Sequence, residues 1–125
     1  VALFTLQGCG KYEDGPAISL KTKKGRLVGE WEMVGGTGFF DEGSTIVFEF
    51  EDDYDFYLSM TYNDSGIPYT ETYKGEWQWT EGKESVIVDI EEDYMMFEIL
   101  KLTSKELVME LNYYSYVAEF EFEKN

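Results

Sequence analysis

The sequence predicts an all-β protein: eight antiparallel strands in an up-and-down barrel, entered through a short N-terminal helical turn. Three observations carry that reading. Apolar and polar residues alternate with period two over most of the chain from residue 27 onward. Turn-forming residues interrupt the alternation at short, fairly even intervals, so consecutive strands are joined mainly by tight hairpins. Each strand shows one apolar face, and a meander of eight twisted strands buries such faces by curling onto itself, which also removes the edges that invite aggregation.

The elements follow in order. Residues Ala17 to Arg26 carry Ile18, Leu20, three lysines and Gly25, which suits a helical turn, and Leu27 to Val34 is the first strand. In the second, Ile46, Phe48 and Phe50 oppose Val47, Glu49 and Glu51. The third sets Phe56, Leu58, Met60 and Tyr62 on one face. A long fourth strand aligns Tyr69, Tyr73, Gly75, Trp77 and Trp79, with Glu71 the one carboxylate on that face. Val86, Val88 and Ile90 mark the fifth strand, Met95, Phe97 and Ile99 the sixth, and Leu107, Met109 and Leu111 the seventh. In the eighth, Tyr116, Ala118, Phe120 and Phe122 alternate with Glu119, Glu121 and Glu123. The intervening turns fall at Asp52-Asp53, Asn63 to Gly66, Glu81 to Lys83, Glu91 to Asp93, Ser104-Lys105 and Asn112 to Ser115. At eight strands the interior is about wide enough to be filled by side chains or to hold one small ligand.

Composition limits the functions such a barrel can have. The 125 residues include 26 acidic and 10 basic side chains, a formal charge of −16, with no histidine and one cysteine. Nucleic acid is not an expected partner, because the Lys/Arg footprint that neutralises phosphates is missing. The domain itself is repelled by anionic headgroups. Without histidine, neither a Ser-His-Asp nor a Cys-His nucleophile system can be built, nor a zinc site that needs imidazole or several thiolates. No cofactor is implied and the chain is not expected to be an enzyme. Two acidic groups, Asp52, Asp53 and Asp55, and Glu91, Glu92 and Asp93, lie at turns, but neither has the spacing of a calcium loop, so no metal ligands are assigned.

The first nine residues differ from the rest. Val1 to Leu6 is uncharged and mostly apolar, too short to span a bilayer, and resembles the end of a signal peptide. Leu6-Gln7-Gly8-Cys9 is similar to a bacterial lipobox, which implies that Cys9 is the lipid attachment site. Lys11-Tyr12-Glu13-Asp14 resembles the charged segment that directs Bacteroidetes lipoproteins to the cell surface. The chain is therefore divided into a signal-peptide remnant (1–8), a lipid-anchor tether (9–17) and the barrel domain (18–125). The expected address is the outer membrane or cell surface, with a periplasm-facing position as the alternative, and the only membrane contact expected is through the anchor.

A family resemblance completes the reading. Gly29-Glu30-Trp31 is a Gly-x-Trp early in the domain, as in the lipocalin superfamily. Together with Lys74-Gly75-Glu76-Trp77 and the run from Ile99 to Leu107, it makes the chain similar to small lipocalin-like lipoproteins of the Bacteroidetes type. The resemblance implies a lipocalin-like barrel in which Gly29 and Trp31 are structural. In larger lipocalins the equivalent tryptophan packs at the closed end against an arginine of the last strand; here that strand has none, and Arg26 is the only arginine of the chain. The resemblance also lays the Gly35 to Ser44 connection across the open mouth, making Phe39 and Phe40 a lid or a partner-contacting patch; the alternative is that one of them simply plugs the barrel end.

The candidate ligand-binding residues are Phe39, Phe40, Phe56, Leu58, Tyr73, Trp77 and Trp79, since aromatic walls bury large areas while Tyr and Trp keep a polar handle. The function expected is a lipid-anchored envelope protein holding a small apolar or amphipathic ligand. The alternative is a filled barrel that contacts another envelope protein or a glycan through its acidic surface and Tyr57, Tyr113 and Tyr114.

Overall fold

The chain enters the barrel across one end. In the computed structural model, which describes residues 22–36, 44–113 and 115–125, a single-turn helix α1 (Lys23–Leu27) is capped by Thr22, whose hydroxyl accepts the Gly25 N–H at 2.9 Å. The helix includes Leu27, which the alternation assigned to the first strand, and β1 is Gly29–Gly36. The reason is local. Leu27 is fully buried beneath the barrel, its carbonyl accepts the Trp31 indole N–H at 2.8 Å, and Gly29 supplies the φ of +136° that turns helix into strand. Residues 17–21 of the expected helical turn lie outside the described residues.

The strands β2 (Thr45–Phe50), β3 (Asp55–Asp64), β4 (Ile67–Trp79), β5 (Ser85–Ile90), β6 (Asp93–Leu102), β7 (Glu106–Tyr113) and β8 (Tyr116–Lys124) follow. Each pairs antiparallel with the next, and β8 returns to β1 through pairs such as Trp31 with Lys124 and Met33 with Phe122, closing the barrel. The predicted eight-stranded up-and-down barrel is the fold observed. Its closed end carries α1, the 51–54, 80–84 and 103–105 turns and the C-terminus. The opposite end, the mouth, carries the 65–66 and 91–92 turns and the end of β7.

One departure from period two has a packing reason. A bulge between Ile99 and Lys101 leaves Leu100 half exposed and turns Leu102 rather than Lys101 toward the core. Lys101, thereby outward, pairs with Glu106 at 2.7 Å.

Aromatic rings fill the lower barrel. Phe48 on β2 lies 5.3 Å from Phe56, 5.7 Å from Phe97 and 4.8 Å from Phe122, centroid to centroid. Since β2 and β6 face each other across an eight-stranded barrel, the contact with Phe97 spans the axis. Trp31, Phe50, Trp77, Leu107 and Met109 complete this packing, all essentially inaccessible to solvent. Phe56 and Phe97 meet Phe48 edge to face, and such pairs add about 0.5–1.5 kcal/mol each beyond area burial.

Candidate functional site

The mouth-side half of the barrel is built differently. β4 pairs with β3 from Ile67 to Glu76 but with β5 only from Gly75 to Trp79. The tall β3–β4 hairpin therefore rises past the short β5–β6 hairpin, and the described strands leave a notch between them. Gly75 is its apex. A Cβ there would stand 2.1 Å from the Asp89 carbonyl oxygen and 2.9 Å from Ile90 Cγ1, so only glycine lets the two strands meet before they part.

A cavity of about 200 Å³ occupies the notch, lined by Leu58, Tyr73, Ile90, Glu91, Asp93 and Met95. Leu58, Ile90 and Met95 each stand one inward position closer to the mouth than the buried Phe56, Val88 and Phe97, so the cavity lies on the mouth side of those three side chains. The walls are apolar and the rim is acidic. Tyr73 spans the two: its ring lines the cavity while its hydroxyl donates to Glu71 Oε1 at 3.0 Å. That hydrogen bond to a carboxylate, with partial burial added, holds the phenol above the ordinary tyrosine pKa. Glu91 is in the left-handed region at φ +52°, the turn conformation that Tyr54, Ser65 and Lys83 also adopt between strands.

The expected ligand set is thereby divided. Leu58 and Tyr73 are brought together at the cavity. Phe56 and Trp77 belong to the packed lower core, Trp77 donating its indole N–H to the Glu51 carbonyl at 3.0 Å and lying 5.5 Å from Phe50. Trp79 is further still from the mouth, at the closed end, with Lys23 5.8 Å from its ring. Phe39, Phe40 and Cys9 lie outside the described residues, as does Tyr114. The alternation missed Ile90 and Met95 as cavity wall and read Glu91 and Asp93 as solvated turn. Their signal was the hairpin that joins them: two inward apolar residues flanking an acidic turn.

A second concavity, about 590 Å³, lies on the outer wall beside the 51–54 turn, where Tyr54, Glu76, Gln78, Ile87, Asp89 and Tyr94 line it. The turn also gathers carboxylates. Glu51, Asp53 and Asp55 offer oxygens within 4.8 Å of one another, whereas Asp52 points away to Lys24 at 3.4 Å. Asp53 Oδ1 accepts the Asp55 N–H at 3.1 Å, and Asp55 meets Lys74 at 3.6 Å, so the turn uses these groups in its own construction.

The Gly-x-Trp residues hold the closed end. Trp31 is fully buried, and Gly29 lies under the Lys124 side chain, whose Cε would be 2.6 Å from a Cβ at that position. Sequence comparison matches residues 27–109 to the lipocalin-like domain. The chain belongs to the lipocalin-like domain family. A crystal structure of a lipocalin-like protein from Bacteroides uniformis superposes on this lipocalin-like domain with a TM-score of 0.57, at 14% identity over 81% of this chain and all of the other. Bovine odorant binding protein, in complex with a selenium-containing odorant, superposes with a TM-score of 0.50, at 18% identity over 84% of this chain and 74% of its own. No protein with a curated description matches the chain in sequence. Both structural likenesses concern the fold. Within it, the position that the resemblance gave to an arginine of the last strand is taken by Lys124, which sits 4.6 Å from the Trp31 ring centroid.

Proposed function

We propose that this lipocalin-like domain is a binding protein that takes a small apolar or amphipathic molecule into the notch at its mouth. The observation that carries the reading is the divided interior: a ring-packed lower barrel and, toward the mouth, a cavity with apolar walls and a few convergent polar groups. The likeness in fold to an odorant binding protein fits a guest of this kind. A volume of about 200 Å³ has room for roughly seven groups of water size, at about 30 Å³ each, so the guest is small or enters by one end. The reading assigns binding and no catalysis.

Calorimetric titration of the chain with octanol tests it, beside Leu58→Trp, which fills the cavity. Saturable binding that the variant abolishes is expected; an absence of saturable heat at the solubility limit removes the reading.

We place the protein in the bacterial envelope, anchored through acyl chains on Cys9, on the support of Leu6-Gln7-Gly8-Cys9. Mass spectrometry of the protein made in a bacterial host should find a lipidated Cys9 with the preceding residues removed. An unmodified Cys9 with those residues retained sinks the assignment.

A second reading, contact with an envelope protein or glycan, is favoured by the outer concavity, where the exposed rings of Tyr54 and Tyr94 stand beside Gln78 and Asp89. Chemical-shift changes confined to those residues on adding a partner would support it. Of the tyrosines first considered for this role, Tyr57 is half-buried near Lys74, and the side chains of Tyr113 and Tyr114 lie outside the described set.

A further inference from the structure

The charge of this domain is unevenly placed along the barrel axis. Among the described residues, the basic side chains of α1, of the 80–84 and 103–105 turns and of the ends of β6 and β8 all belong to the closed end, and Lys74 lies on the outer wall. None stands at the mouth. The cavity rim there is Glu91 and Asp93, with Glu71 behind the Tyr73 hydroxyl. Neither rim carboxylate meets a basic side chain among the described residues, whose ion pairs include Lys24 with Asp52, Lys74 with Asp55 and Lys101 with Glu106.

Such an arrangement has a direction. A low-dielectric cleft lined by one sign of charge focuses the field and raises the local concentration of the opposite ion. An apolar tail seated against Leu58, Ile90 and Met95 leaves its head at the rim, within the same small cavity as two carboxylates and the Tyr73 ring. An ammonium head gains there from the charges and from an aromatic face. A carboxylate head is repelled, and a hydroxyl is indifferent to the field.

We propose that the notch selects amphipathic cations: molecules with a short apolar chain and a protonated amine or quaternary ammonium head. This rests on the mouth-binding reading above and adds the head-group chemistry to it.

Three probes of equal chain length separate the two claims: octylammonium, octanol and octanoate, titrated calorimetrically into the full chain. Octylammonium should bind roughly tenfold tighter than octanol, with octanoate the weakest of the three. The preference should shrink between about 0.01 M and about 0.1 M salt, as the screening length falls from about 30 Å to about 10 Å. In the double variant Glu91→Gln, Asp93→Asn, both solvent-facing changes, the roughly tenfold advantage of octylammonium over octanol, measured on the same variant, should disappear. If wild type binds octanol as tightly as octylammonium, or if the preference survives the double variant or the added salt, cation selection is overturned and the cavity reading stands. If none of the three binds, the cavity reading fails with it.

Discussion

Lys124 Nζ lies 4.6 Å from the centroid of the Trp31 ring and donates to the carbonyls of Arg26 at 2.9 Å and Val28 at 2.8 Å. One side chain of the last strand thus locks the helix end, the strand entry and the buried indole together. Its stem crosses Gly29, so the Gly-x-Trp pair is a physical unit: the glycine makes the space that lets the cation reach the ring.

Removing that cation should loosen the closed end. Lys124→Ala forfeits a cation–π contact and two charge-assisted hydrogen bonds, and a loss of about 2–4 kcal/mol in urea unfolding is expected. Lys124→Arg, which keeps the charge and the donors, should retain most of the stability. Equal losses in both variants would count against the charge and for simple packing of the stem.

Gly75→Ala places a methyl against the Asp89 carbonyl, backbone that cannot rotate away, at the apex of the notch. Strain of about 1–3 kcal/mol is expected, with altered binding in the cavity beside it. Gly66→Ala is the comparison: its turn has open space around a Cβ and a φ of +83°, so only backbone strain is added. Chemical denaturation measures the two losses, and in NMR spectra of the folded proteins Gly75→Ala alone should shift the resonances of Tyr73 and Ile90.

Glu49 supplies a pH dependence. Burial, then the hydrogen bond and like charge of Glu51 and the charge of Glu30, its cross-strand partner, raise its pKa in the folded state. A carboxyl whose folded value lies above its unfolded one binds its proton first in the native state. Its contribution therefore grows as pH falls from neutral through the folded value to the unfolded one, and is lost on the way back up. Glu49→Gln should be more stable than wild type at neutral pH and show a weaker gain on acidification. Parallel stability curves for the two proteins would show that Glu49 takes no part.

The strands could be read from the sequence because alternation is a local property: Phe48 and Phe50, or Phe120 and Phe122, declare their face within a few residues. Lys124 continues the inward parity of Phe120 and Phe122, so a lysine ending an apolar face was a readable sign of a capped ring, yet the strand was followed only to its last glutamate. Leu102 was hidden by the bulge at Leu100, which resets the parity after Ile99. The division of the interior could not be seen at all from local pattern. It depends on Phe48 meeting Phe97 across the axis and on β4 outlasting β5, and both are relations between segments far apart in the chain.

On the proposed mouth-binding reading, the Phe48–Phe97 contact would set a limit on how far a guest reaches into the barrel. If a guest in the notch is stopped by those rings, affinity along a series of straight-chain alcohols should climb by about 0.8 kcal/mol for each methylene buried and then stop. The length at which it stops reads the distance from rim to ring. Phe48→Ala, at a cost of about 3–5 kcal/mol in stability, should move that stopping point to longer chains, and an unchanged stopping point would place the limit elsewhere.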